Sequence, residues 1–170
     1  PRRRLRHDGR AALAQGLGFI QLRDRSWPQG RRDALARRLL PRVREHGAKL
    51  AINGTADDAR RVGADGVHWT AAALAAARRR PQGMLAGASC HTREELGRAA
   101  ALGVDYALVG PVLATPTHPD ATPLGWDGFA RLIERTRVPV YALGGLRSAD
   151  LDTALDHGAH GIAMRRGAWP

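Results

Sequence analysis

The sequence predicts an α/β protein, a (β/α)8 barrel, and three observations predict it. Strand-like runs alternate with helix-patterned segments, glycines stand where the helices should end, and the strands carry their bulky apolar residues on one side.

The strand-like runs are FIQLR (19–23), KLAIN (49–53), GVHW (66–69), MLAGASC (84–90), DYALVG (105–110), VPVYALGG (138–145) and GIAM (161–164). Helix-patterned segments lie between them, near 31–46, 56–62, 70–79, 93–102, 126–136 and 148–157. Strands joined through helices imply right-handed crossovers and a parallel sheet. The passages VGADGVHW (62–69), LGVDYALVG (102–110) and HGAHGIAM (157–164) repeat one device. Each puts a glycine at a helix end shortly before a strand, where the left-handed conformation closes a helix.

Alternation along the strands favours a barrel over an open sheet. Ile20 and Leu22 oppose Gln21 and Arg23, and Leu50 and Ile52 oppose Ala51 and Asn53. Val140, Ala142 and Gly144 oppose Tyr141 and Leu143, while Gly161 and Ala163 oppose Ile162 and Met164. Bulky apolar residues on one face and small or polar ones on the other suit strands with helices outside and a polar mouth inside. A sheet covered on both faces should be more uniformly apolar. Such barrels ordinarily take about 250 residues, compact ones about 200, against 170 here. The chain opens on RLRHDGRAALAQG, helix-patterned with no strand before it. A single domain over 1–170 is therefore expected, lacking the first strand and the helix that would follow Trp169.

Composition narrows the function classes. One cysteine excludes an internal disulfide framework and a thiolate zinc cage, and points to the reducing cytoplasm. No apolar run approaches the ~20 residues of a membrane span. The net charge of +11 is spread over Arg2–Arg4, Arg31–Arg32, Arg37–Arg38 and Arg78–Arg80, with Lys49 the only lysine. Dispersed arginines read as solvated helix faces rather than a nucleic-acid surface, although a polyanion-binding module stays open. Oligomeric state is not legible.

The runs IQLRDR (20–25), LAINGTADDARRVGADGVHW (50–69), GASCHTREEL (87–96), DYALVGPVLATPTH (105–118) and VPVYALGGL (138–146), in this order, resemble the thiamine phosphate synthase/TenI family. These are (β/α)8 barrel enzymes of thiamin biosynthesis, and the resemblance runs from about Leu5 to Trp169. It is nearest to the TenI-like domain that follows a Nudix hydrolase domain in some bacterial proteins, which implies an N-terminal Nudix partner. The 170 residues themselves carry no Nudix motif.

The resemblance implies a site for a small phosphorylated ligand. Gly144 and Gly145 stand where the family binds phosphate, and a following helix capped by Ser148 would add its positive end. Arg165 and Arg166 follow the last strand, where the family usually has a small residue and a serine. Arg23 and Arg25 match its basic positions for the pyrimidine diphosphate, with Gln21 alongside. Thr115, Thr117 and His118 lie in VLATPTHPD, His118 replacing a synthase lysine. The alternative readings are a tight turn, solvated or ion-paired arginines and a proline-rich lid.

Asn53 is retained, but Gly54 and Ala73 stand where synthases place the two carboxylates that hold magnesium. Glycine and alanine cannot ligate a hard cation. Magnesium-dependent thiamine phosphate synthesis is thereby disfavoured, and no metal or other cofactor is expected. His68 and Trp69 end a strand, where a hydrogen-bonded structural histidine competes with a pocket residue.

GASCHT (87–92) joins the one cysteine to His91. Gly87, Ser89 and His91 share a face, and Ala86, Ala88 and Cys90 the other. With the small-residue face inward, Cys90 is an inert buried thiol, and Ser89 and His91 point to the pocket. His91 matches the proton-transfer histidine of TenI thiazole tautomerases, a position synthases share. The expected function is binding of a phosphorylated thiazole-type ligand, with thiazole tautomerase activity through His91. A noncatalytic ligand-binding or regulatory domain of a Nudix fusion is the alternative.

Overall fold

The computed structural model describes residues 13, 14, 16–24, 26–116 and 119–165. The elements run β1 (Phe19–Leu22), α1 (Gln29–Glu45), β2 (Lys49–Asn53), α2 (Ala56–Val62), β3 (Gly66–Trp69), α3 (Ala71–Ala76) and β4 (Leu85–Cys90). They continue with α4 (Arg93–Ala101), β5 (Tyr106–Val109), α5 (Gly125–Ile133) and β6 (Val140–Leu143). A 3-10 turn (Ser148–Asp150), α6 (Leu151–Asp156) and β7 (Gly161–Ala163) complete the order. Strand order equals chain order, β1-β2-β3-β4-β5-β6-β7. Barrel winding has this order, whereas a doubly wound sheet reverses once and places β1 internally. The expected α/β fold class is the one found.

The glycine corners close the helices as the repeats predict. Gly63, Gly103 and Gly158 have φ of 72°, 66° and 85°. The following amides, of Ala64, Val104 and Ala159, donate back to Ala59, Ala99 and Ala154 at 2.9, 3.1 and 2.9 Å. HGAK (46–49) is a fourth corner, beyond the three the repeats revealed: Gly47 has φ 68° and Ala48 donates to Val43 at 3.0 Å. At the opposite ends, Thr55 with Asp58 and Thr92 with Glu95 form reciprocal caps.

Residue contacts group the chain into two compact units. The first takes in the described residues up to Trp69 and Pro81–Ala86; the second takes in Thr70–Arg80 and the described residues from Gly87 to Arg165. In the first unit, Ala36, Leu40 and Val43 recur at helical spacing on α1 and pack with Leu50 and Val62. Each such buried Leu or Val contributes roughly 1.5–3 kcal/mol. Ile20, Leu22 and Ile52 pack against the same cluster. The other face carries Gln21, Ala51, Asn53 and His68, with Gln21 opposite Ala51 and Asn53 opposite His68. This is the division that FIQLR and KLAIN predict.

In the second unit, Ala88, Cys90, Ala107, Val109, Val140 and Ala142 are fully buried. Here bulk does not sort the faces as expected. Tyr141 is in register with Gly161, and Ala142 with Ile162, so the large ring shares a face with the small residue. A Cβ on Gly87 would lie 2.0 Å from the Tyr106 ring, and one on Gly161 would lie 3.1 Å from the Tyr141 ring. The glycines make room for two aromatic rings stacked edge to face at 6.3 Å.

Candidate functional site

The polar strand ends of the first unit are built around Asn53. Its Oδ1 accepts from Gln21 Nε2 at 3.2 Å, joining two of the residues expected in the site. Arg23 is exposed just beyond β1. His68, next in register to Asn53, is 1% exposed. Burial, then the positive charge of Arg23, pushes its pKa down to about 4, so the ring is neutral near pH 7. Between pH 6.5 and about 4 the unfolded chain takes up a proton that the folded chain refuses. Stability should therefore fall with acid across that window, by up to about 3 kcal/mol. Urea titrations of wild type and His68→Asn from pH 7 to 4 check this: the variant should show the shallower slope.

Position 54 is occupied by a neighbour. A Cβ on Gly54 would lie 2.7 Å from Asp58 Oδ2. That oxygen already accepts from Thr55 N at 2.9 Å and Thr55 Oγ1 at 2.8 Å. Asp58 Oδ1 accepts from Arg61 Nη2 at 2.6 Å, and Arg61 Nε reaches Asp33 Oδ2 at 2.7 Å. The Arg61 hydrogen bond, then the Thr55 amide, draws the Asp58 carboxyl down to about pKa 2. Asp58 is thus a committed cap and ion-pair partner, not a stand-in for the missing carboxylate. Ala73, on α3, offers no donor atom. Among the described residues no three His, Cys, Asp or Glu side chains are grouped to hold a metal ion. The residues present do not fit a magnesium ion held as synthases hold it.

In the second unit, His91 follows β4. Its Nδ1 lies 2.8 Å from the carbonyl oxygen of Gly110. A carbonyl can only accept, so Nδ1 carries a proton, and it is Nε2 that bears the lone pair whenever the ring holds a single proton. Glu95 accepts from the amides of His91 and Thr92, fixing the strand-to-helix turn from behind. Gly110 cannot carry a side chain, because a Cβ would lie 1.9 Å from the Leu143 carbonyl oxygen. It precedes Pro111 through a cis peptide bond.

The segment beyond Gly110 leads to the glycine turn. Val112 N donates to Leu143 at 2.9 Å and Leu113 N to Gly144 at 3.0 Å. Gly144 and Gly145 have φ of 105° and 74°. A Cβ on Gly144 would meet the Pro111 Cα at 2.6 Å, and one on Gly145 would meet the Ala114 carbonyl at 2.6 Å. His91, residues 110–114 and the turn at 144–145 therefore form one connected structure. The amides of Gly144 and Gly145 have no hydrogen-bond partner among the described residues.

Other expected residues are placed as follows. Ser89 is half-buried on β4, two positions before His91; Thr115 is half-buried beyond Pro111; Arg165 is exposed after β7. Arg25, Thr117, His118 and Arg166 lie outside the described residues. Ser148 is not the expected helix cap. The Arg147 amide donates to Asp150 Oδ2 at 2.7 Å across a 3-10 turn, and the helix beyond has 6 residues. Cys90 is fully buried, and burial, then Glu95, raises its thiol to about pKa 12, the inert state expected of it. Trp126 packs on Phe129 and His157, at 6.2 and 5.4 Å between ring centres.

Gly110 and Asp58 were not among the residues expected in the site. Asp58 was visible as the fourth residue of the cap TADD (55–58). Gly110 has no such signal, because its role depends on a carbonyl from a strand 33 positions later.

Comparison with known proteins supplies the rest. Residues 2–168 match the family model described as thiamine monophosphate synthase. The chain is 38% identical over 157 residues to a putative thiamine-phosphate synthase of Geobacter sulfurreducens, spanning 90% of this chain and 74% of that protein. It is 38% identical over 159 residues to the thiamine-phosphate synthase of Gloeobacter violaceus, spanning 91% of this chain and 46% of that longer protein. The thiamine phosphate pyrophosphorylase structure from Pyrococcus furiosus superposes with a TM-score of 0.78 at 28% identity, over 96% of this chain and 82% of that one.

Proposed function

This chain belongs to the thiamine monophosphate synthase family, and on that premise we propose that it binds a small phosphorylated thiazole and aromatises its tautomer with His91 as acid and base, without a metal. The observation that carries the proposal is the continuous link from His91 through Gly110 and Pro111 to the turn at Gly144 and Gly145. Glycine amides suit phosphate oxygens, so a ligand held by its phosphate at the turn presents its ring near the imidazole.

The chemistry needs one proton removed from a ring carbon and one delivered elsewhere on the conjugated system. Nε2, the unprotonated nitrogen opposite the Gly110 hydrogen bond, accepts the first. The resulting imidazolium supplies the second, and its Nδ1–H stays anchored to the carbonyl throughout. Ser89, Gln21, Arg23 and Asn53, with Arg25, Thr115, Thr117, His118, Arg165 and Arg166, are proposed as ligand-binding residues on the resemblance.

Condensation, the reaction named for the relatives, is the second reading, favoured by their 38% identity. Gly54 and Ala73 oppose it, because nothing they offer can neutralise a departing diphosphate. The proposed Nudix partner is tested by the upstream reading frame.

Phosphate titration followed by backbone NMR tests the site. The amides of Gly144 and Gly145 should move first, with Arg165 and His91 among the next. Saturation with millimolar phosphate that leaves those two amides in place would remove the ligand site. Movement there without turnover of any thiazole tautomer would make the chain a binding domain.

A further inference from the structure

His91 stands between two elements and belongs to neither. It follows Cys90, the last residue of β4, and precedes Thr92, the residue that caps α4. Its side chain is exposed, and its backbone amide has no carbonyl partner among the described residues. What holds that amide is Glu95, half-buried in the first turn of α4. A capping box asks the third helical residue to return only to the amide of the cap itself. Glu95 does so, at 3.3 Å from Thr92 N, but its Oε2 lies nearer to the amide of His91, one residue further out.

The molecule contains its own control. At the start of α2 the same box closes with Asp58, whose Oδ2 accepts from Thr55 N at 2.9 Å and from Thr55 Oγ1 at 2.8 Å. There the preceding amide, of Gly54, donates across the sheet to the His68 carbonyl at 3.3 Å and needs no carboxylate. An aspartate therefore suffices to close the box, and the extra methylene of Glu95 serves residue 91. We propose that Glu95 is a positioning residue for His91: by holding the His91 amide it sets the backbone from which the imidazole reaches the Gly110 carbonyl, at 2.8 Å. The residue is then tied at both ends, its backbone to α4 and its Nδ1 to the segment before Pro111. A part in turnover for Glu95 rests on His91 acting as acid and base; the placement of the ring does not.

Glu95→Asp in the full chain is the test, because it should keep the cap, as Asp58 does, and release His91. Thermal unfolding should match wild type within a few degrees. The kcat for aromatisation should nevertheless fall roughly 10- to 100-fold with KM unchanged, the cost of misplacing a catalytic group by about 1 Å. Glu95→Gln should restore most of the rate, since its amide oxygen accepts the same two bonds. Burial, then the Glu95 charge, raises the Cys90 thiol, so the glutamine variant also separates charge from geometry. Independently of turnover, long-range proton–nitrogen NMR of the ring at about pH 9 should show the Nδ1–H tautomer dominating in wild type and Glu95→Gln, and a mixture in Glu95→Asp. A wild-type kcat or a wild-type ring spectrum in Glu95→Asp would overturn the positioning role, and so would Glu95→Gln as slow as Glu95→Asp. If wild type turns over no tautomer, the acid/base reading falls, while the ring spectra still decide whether Glu95 positions the imidazole.

Discussion

His91→Ala should slow aromatisation of a phosphorylated thiazole tautomer by ~100- to 10,000-fold, the usual contribution of a positioned acid/base. The loss should appear in kcat, with phosphate affinity nearly unchanged, because the imidazole is tied to Gly110 and not to the amides of Gly144 and Gly145. Glu95 holds the backbone amides of residues 91 and 92 whatever side chain stands at 91, so the turn survives the substitution. His91→Gln should stay slow although an amide could still donate to the Gly110 carbonyl, since an amide cannot take up the proton. Cys90→Ser is the control: the thiol is fully buried and stays protonated, and the rate should not change. A His91→Ala enzyme as fast as wild type would end the catalytic proposal.

Gly144→Ala should be the most damaging small substitution at the turn. Two costs add: a side chain at φ 105°, about 1–3 kcal/mol, and overlap with the Pro111 Cα at 2.6 Å, about 1–3 kcal/mol more. The sum, about 2–6 kcal/mol, is a large part of the roughly 5–15 kcal/mol that holds a domain folded. Thermal unfolding should shift down by roughly 5–15 °C, and phosphate should no longer move the amide of residue 145. Gly97→Ala is the matched control. Gly97 lies inside α4 with nothing within 4 Å of an added Cβ, so alanine there should stabilise by about 0.5–1 kcal/mol. Equal behaviour of the two variants would show that the turn is not held against residues 111–114.

The sequence reads well where one residue decides the outcome locally. Thr55 and Thr92 start helices with their own hydroxyls, and Gly63, Gly103 and Gly158 end them with a backbone conformation other residues avoid. Alternation placed Gln21 with Asn53 and buried Cys90 because each strand residue inherits its face from its parity. Legibility failed where two distant segments share one space. Tyr141 lies on the face assigned to small residues because Gly161, on the next strand, leaves room for its ring. Gly144 and Gly145 read as a phosphate turn; what the structure shows for the same two glycines is the close approach of residues 111–114. Ser148 looked like a cap, but Asp150 takes the Arg147 amide, a choice between two polar residues that spacing alone does not make. Gly54 was legible as a lost carboxylate; that Asp58 fills the vacated space was not.

The most direct test of the account compares two reactions of the wild-type chain, each in millimolar magnesium and in EDTA. Aromatisation of the phosphorylated thiazole tautomer should proceed at the same rate in both, and condensation of pyrimidine diphosphate with thiazole phosphate should be absent from both, because Gly54 and Ala73 supply no carboxylate to a metal. Magnesium-dependent, EDTA-sensitive formation of thiamine phosphate, with no metal-free turnover of the tautomer, would contradict it.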